Sequence, residues 1–247
     1  MNKTIGETRA YCRRLTAAEF PPGVQPFVLP PLTALAAARD ELPPNNPVLL
    51  GAQNAHWAEH GPWTGEVSMT MVGDAGAGMV EIGHSERRQH FAETDATVAL
   101  KVEAALRHGL VPLLCVGEPA DIRAARKAEE HVVRQLDEGL ARIPRDAVTG
   151  VLVAYEPVWA IGASGTPATP DEVAPVMTAV AARLAELTGG VGCRALLYGG
   201  GVDLGNAADL LALDSVDGLF VGRSAWAVEG LLALIDIAAA SRVSLRA

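Results

Sequence analysis

Cysteine is scarce in this sequence: only Cys12, Cys115 and Cys193 occur, and they stand far apart. An odd number at such spacing makes no disulfide framework and fits a reducing, cytoplasmic setting. Positive charge is also in deficit. The net charge of −9 excludes broad binding to nucleic acid or to an anionic membrane surface. It leaves room for a small anion, because a phosphate is held by local backbone N–H groups and helix N-termini. Long hydrophobic runs are missing: the longest late one, 231–240, is broken by Asp236 and is too short to span a bilayer. No signal-peptide pattern opens the sequence. No G-x-G-x-x-G follows an early strand, which weakens a dinucleotide-binding open sheet. No linker, charge block or low-complexity tract divides the 247 residues, so 1–247 reads as one domain.

What is present is a globular composition, 49% apolar and 20% charged, arranged in alternating short and long patterns. Seven short runs are apolar at nearly every position: "PFVLPP", "VLLGAQN", "MVEIGH", "VPLLCVGE", "VLVAYEP", "RALLYGG" and "GLFVGR". Continuous apolar runs of this length suit parallel strands buried on both faces. Helical patterns lie between them, clearest at 121–142, 171–188 and 228–240. In "TPDEV", Thr169 can cap a helix, Pro170 suits the first helical position, and Asp171 and Glu172 favour the first turn. A strand–helix unit repeated without a break points to a (β/α)8 barrel. The count reaches only seven strands, and the sequence opens with a helix over 4–15, with Ile5, Thr8, Cys12 and Leu15 on one face. The expected fold is a (β/α)8 barrel lacking its first strand in the chain as given.

In such barrels, polar residues at the C-terminal strand ends build the site. Here the ends carry His84, Glu118 and Glu156, then "YGGG" and "FVGR". Pro157 biases Glu156 toward an extended conformation, which puts its carboxylate at the strand tip. The Gly/Ala/Ser/Pro-rich segment 158–168 that follows is either an inert surface loop or a lid, and Trp159 suits a rigid hinge support. A glutamate under a closing lid gains basicity by desolvation, whereas the plain alternative is a structural ion pair. His84 begins "HSERR". An imidazole at a helix N-terminus is kept neutral and can polarise a carbonyl, although a lone histidine is more commonly satisfied by backbone. Ser85 and Glu86 read as cap and ion-pair residues. The glycine-bearing turns after the last two strands suit a phosphate, or are merely turns.

Taken together, "AYEPVWAIG", "GHSERR", "CVGE", "LYGGGV" and "DGLFVG" resemble the triosephosphate isomerase family. The resemblance implies Glu156 as the base that moves a proton between adjacent carbons and His84 as the neutral electrophile, a mechanism that belongs to the family's known chemistry. It implies a lid over 158–168 and a phosphate held by backbone at Gly162, Gly201 and Gly222. It implies no metal or organic cofactor, a small phosphorylated sugar as substrate, and a homodimer in which Thr64 reaches the partner's site. The family's catalytic lysine lies in a run like W-K-M-N, of which only Met1 and Asn2 are matched here. Lys3 is not its equivalent, so the first strand and the lysine would both precede Met1.

Three departures cluster at the phosphate end: a lid longer by one residue, Gly201 in place of a serine, and Arg223 in place of a glycine. The Arg223 guanidinium either faces the phosphate or makes a surface ion pair. These changes resemble the branch of the family acting on four-carbon ketose phosphates. The leading expectation is isomerisation of dihydroxyacetone phosphate and glyceraldehyde 3-phosphate. The alternatives are the same chemistry on a tetrulose phosphate and a non-catalytic phosphate-binding homologue.

Overall fold

The computed structural model describes residues 1–162 and 165–244. All seven expected strands form: β1 (Phe27–Val28), β2 (Leu49–Ala52), β3 (Met79–Ile82), β4 (Val111–Val116), β5 (Leu152–Tyr155), β6 (Ala195–Tyr198) and β7 (Gly218–Leu219). They pair in parallel in the order β1-β2-β3-β4-β5-β6-β7. The helices are α1 (Ile5–Thr16), α2 (Leu35–Glu41), α3 (Met69–Asp74), α4 (Ser85–His90), α5 (Asp95–Arg107), α6 (Ala120–Ala124), α7 (Ala128–Leu140), α8 (Pro170–Thr188), α9 (Ala207–Leu211) and α10 (Val228–Ser244). Parallel neighbours require a crossover between each pair of strands, and the helices supply it.

The sheet curls so that its strands face two ways. Outward residues such as Val80, Ile82, Leu114 and Val153 pack under the helices in the larger core. Inward residues, Met79, Leu113, Cys115, Leu152, Ala154 and Leu197, form a smaller core inside the curl. The described residues thus make a (β/α)8 barrel short of one strand, with β1 and β7 as its edges. The seam between the edges is bridged by side chains. Phe27 of β1 and Phe220, just past β7, stack inside the barrel with ring centroids 6.0 Å apart.

Helix α1 is capped by Thr4, which forms a capping box with Glu7. Thr8, Cys12 and Leu15 are buried as expected, whereas Ile5, in the first helical position, is half exposed. The Tyr11 hydroxyl donates to the Ala225 carbonyl at 2.8 Å, tying α1 to the segment after β7. The helix expected over 121–142 is broken in two: Arg126 takes a left-handed φ of 56° and ends α6 before α7 begins. Thr169 and Glu172 cap α8 reciprocally, and Pro170 starts it.

Candidate active site

The end of β5 is held against β4 beyond the strands themselves. The Glu156 N–H donates to the Val116 carbonyl at 2.8 Å, and the Val158 N–H to the Glu118 carbonyl at 3.1 Å. Gly117 makes this approach feasible, because a Cβ there would lie 1.8 Å from the Glu156 carbonyl oxygen. At the end of β6, Gly199 leaves room for the Glu156 side chain, whose Cγ would be 3.1 Å from a Cβ at that position. Glu156 is buried. Its carboxylate accepts from His84 Nε2 at 3.0 Å and from the Ser85 N–H at 3.2 Å.

His84 reaches this position as the N-cap of α4. Its backbone is extended (φ −50°, ψ 142°), and its Nδ1 accepts from the Glu86 N–H at 3.2 Å. The imidazole therefore fills the capping role expected of Ser85, whose own N–H turns to Glu156 instead. Glu86 makes no ion pair among the described residues; exposed in the first turn, it complements the helix N-terminus. Burial pushes the His84 pKa down, but the Glu156, Glu81 and Glu86 carboxylates together outweigh it and raise the value to about 10. The cap opposes that rise. A protonated Nδ1 would set two donors against each other, so the contact with the Glu86 N–H favours a neutral ring with its proton on Nε2.

One feature escaped the reading of strand patterns. Glu81 is the charged residue in the otherwise apolar β3, and it faces inward like Met79 two residues before it. Its side chain is 10% exposed, and Oε1 lies 3.8 Å from His84 Nε2. Among the described residues no hydrogen bond reaches it. Burial, countered in part by His84, raises its pKa to about 7. Phe220 completes this corner, its ring edge-on to His84 at 6.4 Å. The signal for Glu81 was one carboxylate inside a buried strand, where the cost of an unpaired charge demands a reason.

Loop 158–168 is anchored at its start. The Trp159 indole donates to Glu118 Oε1 at 2.7 Å, and the Arg123 guanidinium lies over its ring, 3.6 Å from the centroid. Arg123 also pairs with Glu172 in the first turn of α8. Residues 163 and 164 of this loop lie outside the described residues. Arg223 makes no ion pair among the described residues; its Nη2 donates to the Gly162 carbonyl at 2.5 Å. Gly162 has a left-handed φ of 87°. Gly201 faces the same loop, since a Cβ there would sit 3.0 Å from the Ala160 carbonyl oxygen and 3.3 Å from Pro167 Cα. Gly222 opens on unoccupied space. The sequence candidate Thr64 lies apart from this cluster, as does Lys3, which is not the equivalent of the family's lysine. Thr64 is exposed in the loop between β2 and α3. The Lys3 ammonium donates to the Trp226 carbonyl at 2.5 Å and lies over the Tyr11 ring. Among the described residues no group of three or more His, Cys, Asp and Glu side chains could hold a metal ion.

A buried carboxylate bonded to a cap histidine, followed in the chain by an anchored loop and near the Gly199 turn, suits proton transfer on a small anionic substrate. The sequence profile of triosephosphate isomerase matches residues 1–238. The chain belongs to the triosephosphate isomerase family. Its relatives include L-erythrulose-1-phosphate isomerase of Mycolicibacterium smegmatis, 50% identical over 245 residues, which cover 97% of this chain and 90% of that protein. The protein of the same name in Brucella abortus (strain 2308) is 45% identical over 245 residues, 95% of this chain and 92% of that one. Among solved structures, triosephosphate isomerase from Bartonella henselae superposes with a TM-score of 0.84 at 37% identity, covering 96% of this chain and 94% of that chain. The chain is an isomerase, and within the family its relatives favour the tetrulose phosphate expectation over the triose one. No helix among the described residues is long and apolar enough to cross a membrane.

Proposed function

We propose that this enzyme isomerises L-erythrulose 1-phosphate, a four-carbon ketose phosphate. The observation that carries the reading is the 50% identity to the Mycolicibacterium smegmatis isomerase across 97% of the chain. The departures at the phosphate end support it, because Gly201, Arg223 and the longer loop resemble the branch of the family acting on four-carbon ketose phosphates, and Arg223 donates to the Gly162 carbonyl of that loop.

In this substrate the carbonyl is at C2, C1 carries the phosphate, and C3 carries a hydrogen, a hydroxyl and a terminal hydroxymethyl group. Glu156 removes the C3 proton, giving an enediolate across C2 and C3. It returns the proton to C2, while the O3 proton moves to O2. The carbonyl ends on C3, so the product is again a ketose, now phosphorylated at its far end. Two protons move and no external oxidant or reductant is needed. His84, with its proton on Nε2, stabilises the developing oxyanion without becoming a strong acid. Gly162, Gly201, Gly222 and Arg223 hold the phosphate, and loop 158–168, supported at Trp159, closes over the reacting carbons to exclude water.

A homodimer fits the loop between β2 and α3. There Trp63 remains 46% exposed, its ring tilted against His56 with centroids 4.3 Å apart, and the exposed Thr64 beside it would reach a partner's site. A reducing cytoplasm fits the three free cysteines.

Proton NMR in heavy water tests the chemistry. Wild-type protein should convert L-erythrulose 1-phosphate with deuterium appearing at C2 of the substrate skeleton, and Glu156→Gln should lower turnover by about 10²- to 10⁴-fold. Unchanged turnover in Glu156→Gln would remove Glu156 from the role of base.

A further inference from the structure

Glu81 is a carboxyl on the inner wall of the barrel, with its side chain nine-tenths buried and no hydrogen bond reaching it among the described residues. Leaving such a group unsatisfied is costly. A barrel interior otherwise filled by Met79, Leu113, Cys115 and Leu197 gives no packing reason for it. The one ion-pairing partner within reach among the described residues is His84, whose Nε2 lies 3.8 Å away and closer to Glu156, at 3.0 Å. The Glu156, Glu86 and Glu93 carboxylates act on Glu81 only as like charges. Glu81 therefore borders the space where the reacting carbons must sit, on the β3 side. The Gly162–Arg223 contact and Gly222 lie on the loops after β5 and β7. A substrate with its phosphate on those loops and its reacting carbons between Glu156 and His84 directs its other end toward β3.

We propose that Glu81 is a specificity residue: its carboxyl hydrogen-bonds the terminal hydroxymethyl group that a tetrulose phosphate has and a triose phosphate lacks. The inference rests on the tetrulose reading of the site and adds the group that enforces it. Discrimination follows from burial. A site built to bind a hydroxyl rejects the analogue without it, because its own polar group is then left unpaired. A triose phosphate would leave Glu81 without a hydrogen-bond partner, whereas the fourth carbon's hydroxyl would satisfy it. The carboxyl can do this in either protonation state, donating to the hydroxyl oxygen when protonated and accepting its hydrogen when ionised.

The test compares wild type, Glu81→Leu and Glu81→Gln on L-erythrulose 1-phosphate and dihydroxyacetone phosphate. Both kcat/KM by NMR and Kd by calorimetry are measured, so a protein with slow turnover still gives a result. In wild type the four-carbon substrate should be preferred by at least tenfold. Glu81→Leu should lower that preference by at least 30-fold, almost wholly through loss on the tetrulose phosphate. Glu81→Gln, which can still hydrogen-bond a hydroxyl, should keep most of it. An equal loss on both substrates would make Glu81 a support for His84 and overturn the proposal, as would a preference untouched by Leu. A wild type that prefers the triose would instead overturn the tetrulose reading itself, whatever the variants do. Thermal unfolding of both variants confirms that each is folded.

Discussion

Glu81 and His84 sit three residues apart, and their titrations are set by opposite needs. The Glu81 pKa lies at about 7, above its ordinary 4.5, because burial disfavours the carboxylate more than His84 favours it; Glu156, Glu86 and Glu93 push the same way as burial. Between these two values the folded chain keeps a proton that the unfolded chain has lost. Stability therefore falls as pH rises from about 4.5 to 7, and the penalty is complete above 7. It amounts to something on the order of 3 kcal/mol. Glu81→Gln carries no titrating proton, so its stability relative to wild type should rise between about pH 5 and pH 8. Urea midpoints at the two pH values check this, and a difference that does not change with pH would contradict the burial argument. The same residue shows where sequence reading stopped. A single carboxylate in "MVEIGH" does not disturb an apolar strand pattern, and only the three-dimensional position of His84 gives it meaning. The placing of Glu156 and His84 after strand ends was legible, because Pro157 biases Glu156 toward an extended backbone and "HSERR" marks a helix start at His84.

At the scale of elements, the β4–β5 junction carries the carboxylate. Gly117 packs its bare Cα against the Glu156 carbonyl, and its own N–H donates to Gln135 Oε1 of α7 at 2.8 Å. Gly117→Ala would force two strand ends apart. Overpacking of this kind costs about 1–3 kcal/mol, and displacing a reacting group by about 1 Å can cost about 10²-fold in rate. Both effects should appear together, as a lower unfolding midpoint and a lower kcat with little change in KM. A variant that lost stability but kept kcat would show that the junction does not position Glu156. The strands and the α8 cap were readable because burial on both faces and capping chemistry leave local signatures. The break between α6 and α7 was not. Its left-handed residue is Arg126, and neither glycine nor proline marks the turn. The cap of α4 was misread for a related reason: histidine is an uncommon cap, and Ser85 beside it is a common one.

At the scale of the whole molecule, seven strands curl far enough for Phe27 and Phe220 to meet across the seam. The two edges that remain are each only two residues long in β1 and β7, which limits the backbone they offer to another chain. The curl sets the strand ends on one rim, so that the carboxylate after β5, the imidazole after β3 and the glycine turns after β6 and β7 face a common space. The central claim is that this space is fitted to four carbons. The most direct test is the ratio of kcat/KM for L-erythrulose 1-phosphate to that for dihydroxyacetone phosphate, measured on one preparation at one pH. A ratio of at least ten is predicted; a ratio below one would contradict the account and make the enzyme a triose phosphate isomerase.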